Sequence, residues 1–191
     1  MNNVFSVIGA TNHSDGERQP EDYYATEPKA VEILLESEKF SQNIWECAVG
    51  EGHIAKVLEN RGYNVLKSDI INRGYPNTKI IDFLKFDKKE LTCDIITNPP
   101  YKYAQEFVEK SLECVKQGNK IAMLLKLTFL EGKARKSMFL NNPPTKLYVS
   151  SSRLNCAKNG KFDEYKSSAI AYGWYIWEKG YKGDTIIKWI N

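Results

Sequence analysis

Apolar positions along the chain switch between a helical and an alternating period. Ala30, Ile33, Leu34 and Ser37 fall on one helical face, and Pro28 suits the first turn of that helix. Ile44-Trp45-Glu46-Cys47-Ala48 reads as a short buried strand that runs into Val49-Gly50-Glu51-Gly52. A second helix carries Ile54, Val57 and Leu58 inward and stops at Gly62. Asn64 to Ser68 predicts a strand ending at Asp69, and Thr78 to Ile81 a third ending at Asp82. Cys93 to Thr97 predicts a fourth, which enters Asn98-Pro99-Pro100-Tyr101. Ala104, Phe107, Val108, Ser111, Leu112 and Val115 then keep helical spacing, and Gly118 closes that helix.

Ile121 to Leu127 is an apolar fifth strand, and a basic helix follows around Gly132 to Leu140. The last third is β-rich: Lys146 to Ser150, Ala169 to Trp177 and Thr185 to Ile190, with a polar segment at 151–168. On its strand, Trp174 and Ile176 share one face and Tyr175 and Trp177 the other, so that strand is covered on both sides. Strands alternating with helices predict an α/β fold, a doubly wound and mostly parallel sheet with an antiparallel hairpin at the C-terminal edge. Residues 1–22 show no sustained period and read as a flexible N-terminal arm before a single domain at 23–191.

Composition narrows the class. The 191 residues are 42% hydrophobic and 27% charged, a globular balance for one α/β domain. No apolar run approaches the roughly 20 residues of a membrane span. The N-terminal residues do not resemble a secretory signal. Cys47, Cys93, Cys114 and Cys156 form no C-x-x-C pair, which fits reduced thiols in a cytoplasm. With two histidines in the chain, a metal site is not expected. A net charge of +3 permits nucleic-acid binding without requiring it.

The glycine loop sits where a strand turns into a helix, the place where open α/β sheets take ligands. Gly50 and Gly52 allow a sharp turn and a close backbone approach. Asp69, at the end of the next strand with Ile70 after it, can accept hydrogen bonds from both hydroxyls of a ribose. Gly50-Glu51-Gly52-His53-Ile54-Ala55 also fits the dinucleotide fingerprint, so the loop alone leaves three readings open: S-adenosylmethionine (SAM), a nicotinamide cofactor, or a structural turn. Glu46 and Glu51 suit a cationic amino-acid group better than a pyrophosphate, which favours SAM.

Asn98-Pro99-Pro100-Tyr101 breaks the tie. The exocyclic amine of adenine is a poor nucleophile because its lone pair is delocalised into the ring. Accepting hydrogen bonds from both amine hydrogens localises it. The Asn98 side-chain oxygen can accept one and the Pro99 carbonyl the other. Proline lacks an N–H and has a fixed φ, so it aims that carbonyl rigidly. Tyr101 offers a face on which an extruded base can stack, worth about 1–3 kcal/mol. The second Pro-Pro, in Asn141-Asn142-Pro143-Pro144-Thr145, lacks the aromatic and reads as an ordinary turn.

Together these residues resemble the class I SAM-dependent methyltransferases, in particular amino-methyltransferases with an Asn-Pro-Pro-Tyr motif. The resemblance covers about residues 22–190. It implies a seven-stranded Rossmann-like sheet, and the order of its motifs is similar to the gamma-type DNA adenine methyltransferases. Tyr23-Tyr24-Ala25-Thr26-Glu27-Pro28 resembles the cofactor motif that precedes the glycine loop, which implies that Tyr24 and Thr26 cover the methionine end of SAM. Asp82-Phe83 resembles the third-strand motif, in which Asp82 binds the adenine amine of SAM and Phe83 packs on its ring. Cys47 and Ala48 complete the implied cofactor set with Glu46, Gly50, Gly52, Asp69, Ile70 and Asn98. Phe129-Leu130-Glu131-Gly132, Ser151-Ser152-Arg153 and Trp174-Tyr175-Ile176-Trp177 are similar to small methyltransferases of phages and prophages of low-GC Gram-positive bacteria. The chain has no room for the separate target-recognition domain of restriction-type enzymes.

The activity implied is SAM-dependent methylation of the 6-amino group of adenine in DNA. Adenine in RNA, a protein glutamine amide, and a non-catalytic nucleic-acid-binding protein of the same fold are the alternatives. Lys126, Lys133, Arg135 and Lys136, and Arg153, Lys158, Lys161 and Lys166, form two basic clusters expected near the C-terminal edge of the sheet. Lys126, Arg135 and Arg153 are the candidate phosphate contacts, the arginines because guanidinium binds phosphate bidentately.

Overall fold

The computed structural model describes residues 24–158, 160, 162 and 170–191. The arm at 1–22 and two of the nominated cations, Lys161 and Lys166, lie outside the described residues. One sheet dominates the described chain. Its strands are β2 (Asn43–Glu46), β3 (Asn64–Asp69), β4 (Lys79–Ile80), β5 (Asp94–Thr97), β6 (Lys120–Lys126), β7 (Lys146–Ser150), β9 (Tyr172–Glu178) and β10 (Ile186–Ile190). Their order is β10-β7-β9-β6-β5-β2-β3-β4. All run parallel except β9, which pairs antiparallel with both β6 and β7. The sheet thus has eight strands rather than the seven expected. The outermost strand, β10, lies parallel to β7, outside the antiparallel β7–β9 pair.

Helices cover both faces, as the two-sided apolar strands require. Helices α1 (Pro28–Ser37) and α2 (His53–Asn60) bury Ala30, Ile33, Leu34, Ile54, Val57 and Leu58 against Ile44, Ile96, Leu124, Trp174 and Ile176. On the other face, α3 (Ala104–Cys114) buries Phe107 and Val108, and α4 (Lys136–Asn141) buries Met138, against Trp45, Ile95, Met123, Tyr175 and Trp177. The indoles that must be buried find acceptors: Trp174 Nε1 donates to the Ala30 carbonyl at 2.9 Å and Trp177 Nε1 to that of Asn142 at 3.1 Å.

Two departures concern the site. The basic segment is a short 3-10 turn, Lys133–Arg135, leading into α4, rather than one helix. A separate two-stranded ribbon joins β1 (Tyr24–Thr26) antiparallel to β8 (Cys156–Lys158), with Tyr24 opposite Lys158 and Thr26 opposite Cys156. No periodicity in three residues could announce that ribbon, because strands so short exist only through their partner.

Candidate active site

Strand order reverses beside β2. The chain builds outward through β3 and β4, then returns to the other side of β2 with β5. At such a reversal the loops after two adjacent parallel strands diverge and leave a crevice. Here those loops are the glycine loop after β2 and Asn98-Pro99-Pro100-Tyr101 after β5.

The glycine loop is tied to the end of β3. Val49 N–H donates to the Ser68 carbonyl at 3.0 Å, and Gly50 N–H to Asp69 Oδ2 at 2.8 Å. The other Asp69 oxygen accepts from Ile71 N–H at 3.2 Å. Gly52 has φ +84°, and a Cβ there would stand 2.0 Å from the ring of Tyr75. That ring is held by its hydroxyl, which donates to Glu59 Oε2 at 2.6 Å. Glycine at 52 therefore serves the approach of Tyr75.

Glu46 ends β2 with 1% of its surface exposed. One oxygen accepts from Ala48 N–H at 3.2 Å, and Oε2 has no partner. Burial pushes this carboxyl up to about 8. The Thr97 hydroxyl and the Ala48 N–H favour the charged form but do not offset its burial, and a cationic group of a ligand nearby would favour it further.

The crevice is a cavity of about 610 Å³, within the usual range for small-molecule sites. Of the residues nominated from sequence, Tyr24, Cys47, Ala48, Asp69, Ile70, Asp82, Phe83, Asn98, Pro99, Pro100 and Tyr101 line it. Thr26, Glu46, Gly50 and Gly52 do not. Asp82 Oδ1 caps the turn at Phe83–Lys85 by accepting from Leu84 N–H at 3.2 Å, and its other oxygen pairs with Lys85 Nζ at 3.2 Å. Phe83 packs edge-on to Trp45 and tilted on Phe107. Arg73, Ile81, Lys85, Tyr103 and Phe107 also line the cavity. Sequence reasoning placed Phe107 in the core and had no signal for Arg73, which reaches the wall from an irregular loop.

Asn98 is fixed by the ribbon. Its Nδ2 donates to the Tyr24 carbonyl and to Thr26 Oγ1, both at 3.0 Å, and lies 4.0 Å from Cys156 Sγ. Oδ1 is buried without a partner. Tyr101 sits between Tyr24 and Tyr172, each ring centroid 5.8 Å away, with Lys126 Nζ 4.9 Å from its own centroid. Its hydroxyl is buried beside Cys156 and Tyr172, and burial first, then those neighbours, raises its pKa well above the usual tyrosine value.

The nominated cations separate. Lys126 reaches the Tyr101 ring. Arg135 folds back: Nε donates to the Phe129 carbonyl at 2.8 Å, Nη2 to the carbonyls of Thr128 and Glu131, and the guanidinium lies over the Phe129 ring. Arg153 is exposed, as are Lys133 and Lys136, while Lys158 pairs by its backbone with Tyr24. Among the described residues no group of three metal-binding side chains occurs, and no helix is long and apolar enough to cross a membrane.

No protein-family model and no curated protein sequence matches the chain. Solved structures do. A predicted O-methyltransferase from Agrobacterium tumefaciens superposes with a TM-score of 0.63 at 9% identity, covering 85% of each chain. The modification subunit of a predicted type I restriction enzyme from Vibrio vulnificus has a TM-score of 0.60 at 13% identity. That match covers 93% of this chain and 48% of the other. A SAM-dependent O-methyltransferase from Thermotoga maritima has a TM-score of 0.53 at 16% identity, covering 82% of this chain and 67% of the other. At these identities a likeness speaks for architecture alone, and the architecture of this chain is the class I fold of SAM-dependent methyltransferases.

Proposed function

We propose that this chain binds SAM in the cavity at the ends of β2, β3 and β5 and methylates the 6-amino group of adenine in DNA. The observation that carries the reading is the Asn98 amide: its nitrogen is committed to two acceptors, which leaves Oδ1 as an unpartnered acceptor beside the cavity. A buried orphan acceptor calls for a donor, and an exocyclic amine brings one.

SAM fits the residues present. The carboxylates of Asp69 and Asp82 stand on the cavity wall for ribose hydroxyls and the adenine amine, with Ile70 and Phe83 as apolar neighbours. Glu46 stands behind the wall formed by Cys47 and Ala48, and from there its carboxylate would offset the charge of the methionine ammonium. When bound, SAM supplies an electrophilic methyl group on a sulfonium sulfur. The chain orients the acceptor: Asn98 Oδ1 and the Pro99 carbonyl draw on the two amine hydrogens and localise the nitrogen lone pair. Tyr101 stacks the base after it leaves the duplex. The nitrogen held this way would accept the methyl as the carbon–sulfur bond breaks, its electron pair staying on sulfur, and would lose one proton to water, so proximity and orientation supply most of the catalysis. Lys126 and Arg153 neutralise phosphates. DNA rather than RNA is the reading taken, because the order of the glycine loop and Asn-Pro-Pro-Tyr resembles that of DNA adenine methyltransferases.

Radiolabelled SAM offered with duplex DNA, RNA and protein tests this. Label should appear as N6-methyladenine in DNA. Asn98→Ala should lower the rate by about 10² to 10³, by analogy with loss of an oxyanion-hole donor, while SAM affinity stays within a factor of about two. Asp69→Asn should weaken SAM binding. Label confined to RNA, protein or cytosine would overturn the assignment.

A further inference from the structure

The ribbon β1–β8 is an addition to the sheet with its own geometric consequence. Tyr24 and Thr26 are two apart on β1, and both hydrogen-bond the Asn98 amide nitrogen. Thr26 is 2% exposed and does not line the cavity. Its hydroxyl is therefore spent on Asn98 and not on whatever the cavity holds. The ribbon is itself pinned: Glu27 N–H donates to the Asn155 carbonyl at 3.1 Å, and Asn155 N–H to Glu27 Oε1 at 2.7 Å.

An asparagine amide has two ends of nearly equal size, and only its partners decide which way it faces. The Tyr24 carbonyl can only accept. A flipped Asn98 would set oxygen against oxygen there and lose that bond. A threonine hydroxyl alone would tolerate either end, because it can donate or accept. Together the two acceptors hold nitrogen toward the ribbon and oxygen away from it.

We propose that Thr26 is a positioning residue: with the Tyr24 carbonyl it locks the Asn98 amide so that Oδ1 alone is presented to the substrate amine. This rests on the role given to Asn98 above, and it replaces the cofactor contact that family resemblance implies for Thr26. Thr26→Val keeps shape and removes the acceptor. One Nδ2 hydrogen is then left with only the Sγ of Cys156, 4.0 Å away, and the amide is held less firmly.

The test is a double-mutant cycle with SAM affinity measured in parallel. Thr26→Val should lower kcat about tenfold, the worth of one neutral hydrogen bond, with SAM affinity within about twofold. Thr26→Ser should recover most of the rate. In an Asn98→Ala background Thr26→Val should cost nothing further, because the residue acts only through Asn98. Weakened SAM binding, or an undiminished loss in the Asn98→Ala background, would overturn the proposal.

A second readout needs no activity. In nitrogen-15-labelled protein the Asn98 side-chain amide protons should exchange with solvent at least about tenfold faster in Thr26→Val, because one of the hydrogen bonds that protects them is gone. Unchanged exchange would also overturn it. If the wild type methylates no DNA adenine, the functional assignment fails, and the amide exchange still decides whether Thr26 holds Asn98.

Discussion

Glu46 shows how one residue links the fold to the proposed ligand. A carboxyl with 1% exposure is held by burial in its protonated form in the folded protein, up to about 8. In the unfolded chain it ionises near its ordinary value of 4.5. Its contribution to stability is therefore fully present below that value and is lost as pH rises through about 8. Thermal melts should show a decline across this window that Glu46→Gln flattens. A cationic group bound against the wall in front of Glu46 would favour the ionised form, so SAM binding near pH 7 should release a proton. Calorimetry in buffers of different ionisation heat reads that proton directly, and Glu46→Gln should abolish it. Arg135 carries the opposite lesson. It was nominated for phosphate from its side-chain type, yet three backbone carbonyls and an aromatic ring occupy it. Nothing in its local sequence distinguishes it from the exposed Lys133 and Lys136.

Among the elements, the glycine loop and the ribbon divide the work of the site. Gly52 has φ +84°, a left-handed conformation in which side chains are strained, and Tyr75 fills the space a Cβ would need. Gly52→Ala should destabilise by roughly 2 kcal/mol, combining backbone strain with displacement of that ring. The loss should be smaller in a Tyr75→Ala background, where only the backbone part remains; equal losses in both backgrounds would show that the ring contributes nothing. The glycine pattern was legible, whereas its reason was not: a close approach suggests a cofactor, and here the approaching group is a tyrosine well past the loop in sequence. The ribbon was invisible, because Tyr24–Thr26 and Cys156–Lys158 are too short to show a period.

At the scale of the whole molecule, function and stability sit at opposite ends of the sheet. The cavity lies where the strands end. At the other end, Glu38 caps α1 and takes hydrogen bonds from Lys120 Nζ and Lys146 Nζ, each 2.6 Å away, and from the Tyr148 hydroxyl at 2.9 Å. Burial alone would raise this carboxyl, but those three donors outweigh it and hold it down at about 2. The stability it contributes is present above the unfolded value near 4.5 and is lost as pH falls toward about 2. Glu38→Gln should cost roughly 2 kcal/mol, less than loss of a partner from a fully buried pair, because both lysines keep about a quarter of their side chain in water. Denaturant titration should detect that loss while SAM affinity stays unchanged. A matching loss of affinity would mean that the two ends are coupled.

The sequence by itself determined the alternation of strands and helices, the two-sided burial of β9 and the succession of a glycine loop, two carboxylates and Asn-Pro-Pro-Tyr. Each of these is local: periodicity reports which faces are buried, and turn residues report where the chain must bend. Only the tertiary structure decided the strand order that sets β5 beside β2, and with it the meeting of two loops some fifty residues apart in the chain. It also decided the eighth strand, the capture of Arg135 by carbonyls and the turning of Thr26 from the cavity to Asn98. These depend on pairings between distant segments, where a hydrogen bond of 3.0 Å is made or missed by the position of a strand. No residue type carries that information, because the same threonine could face a ligand or an asparagine until the ribbon is in place.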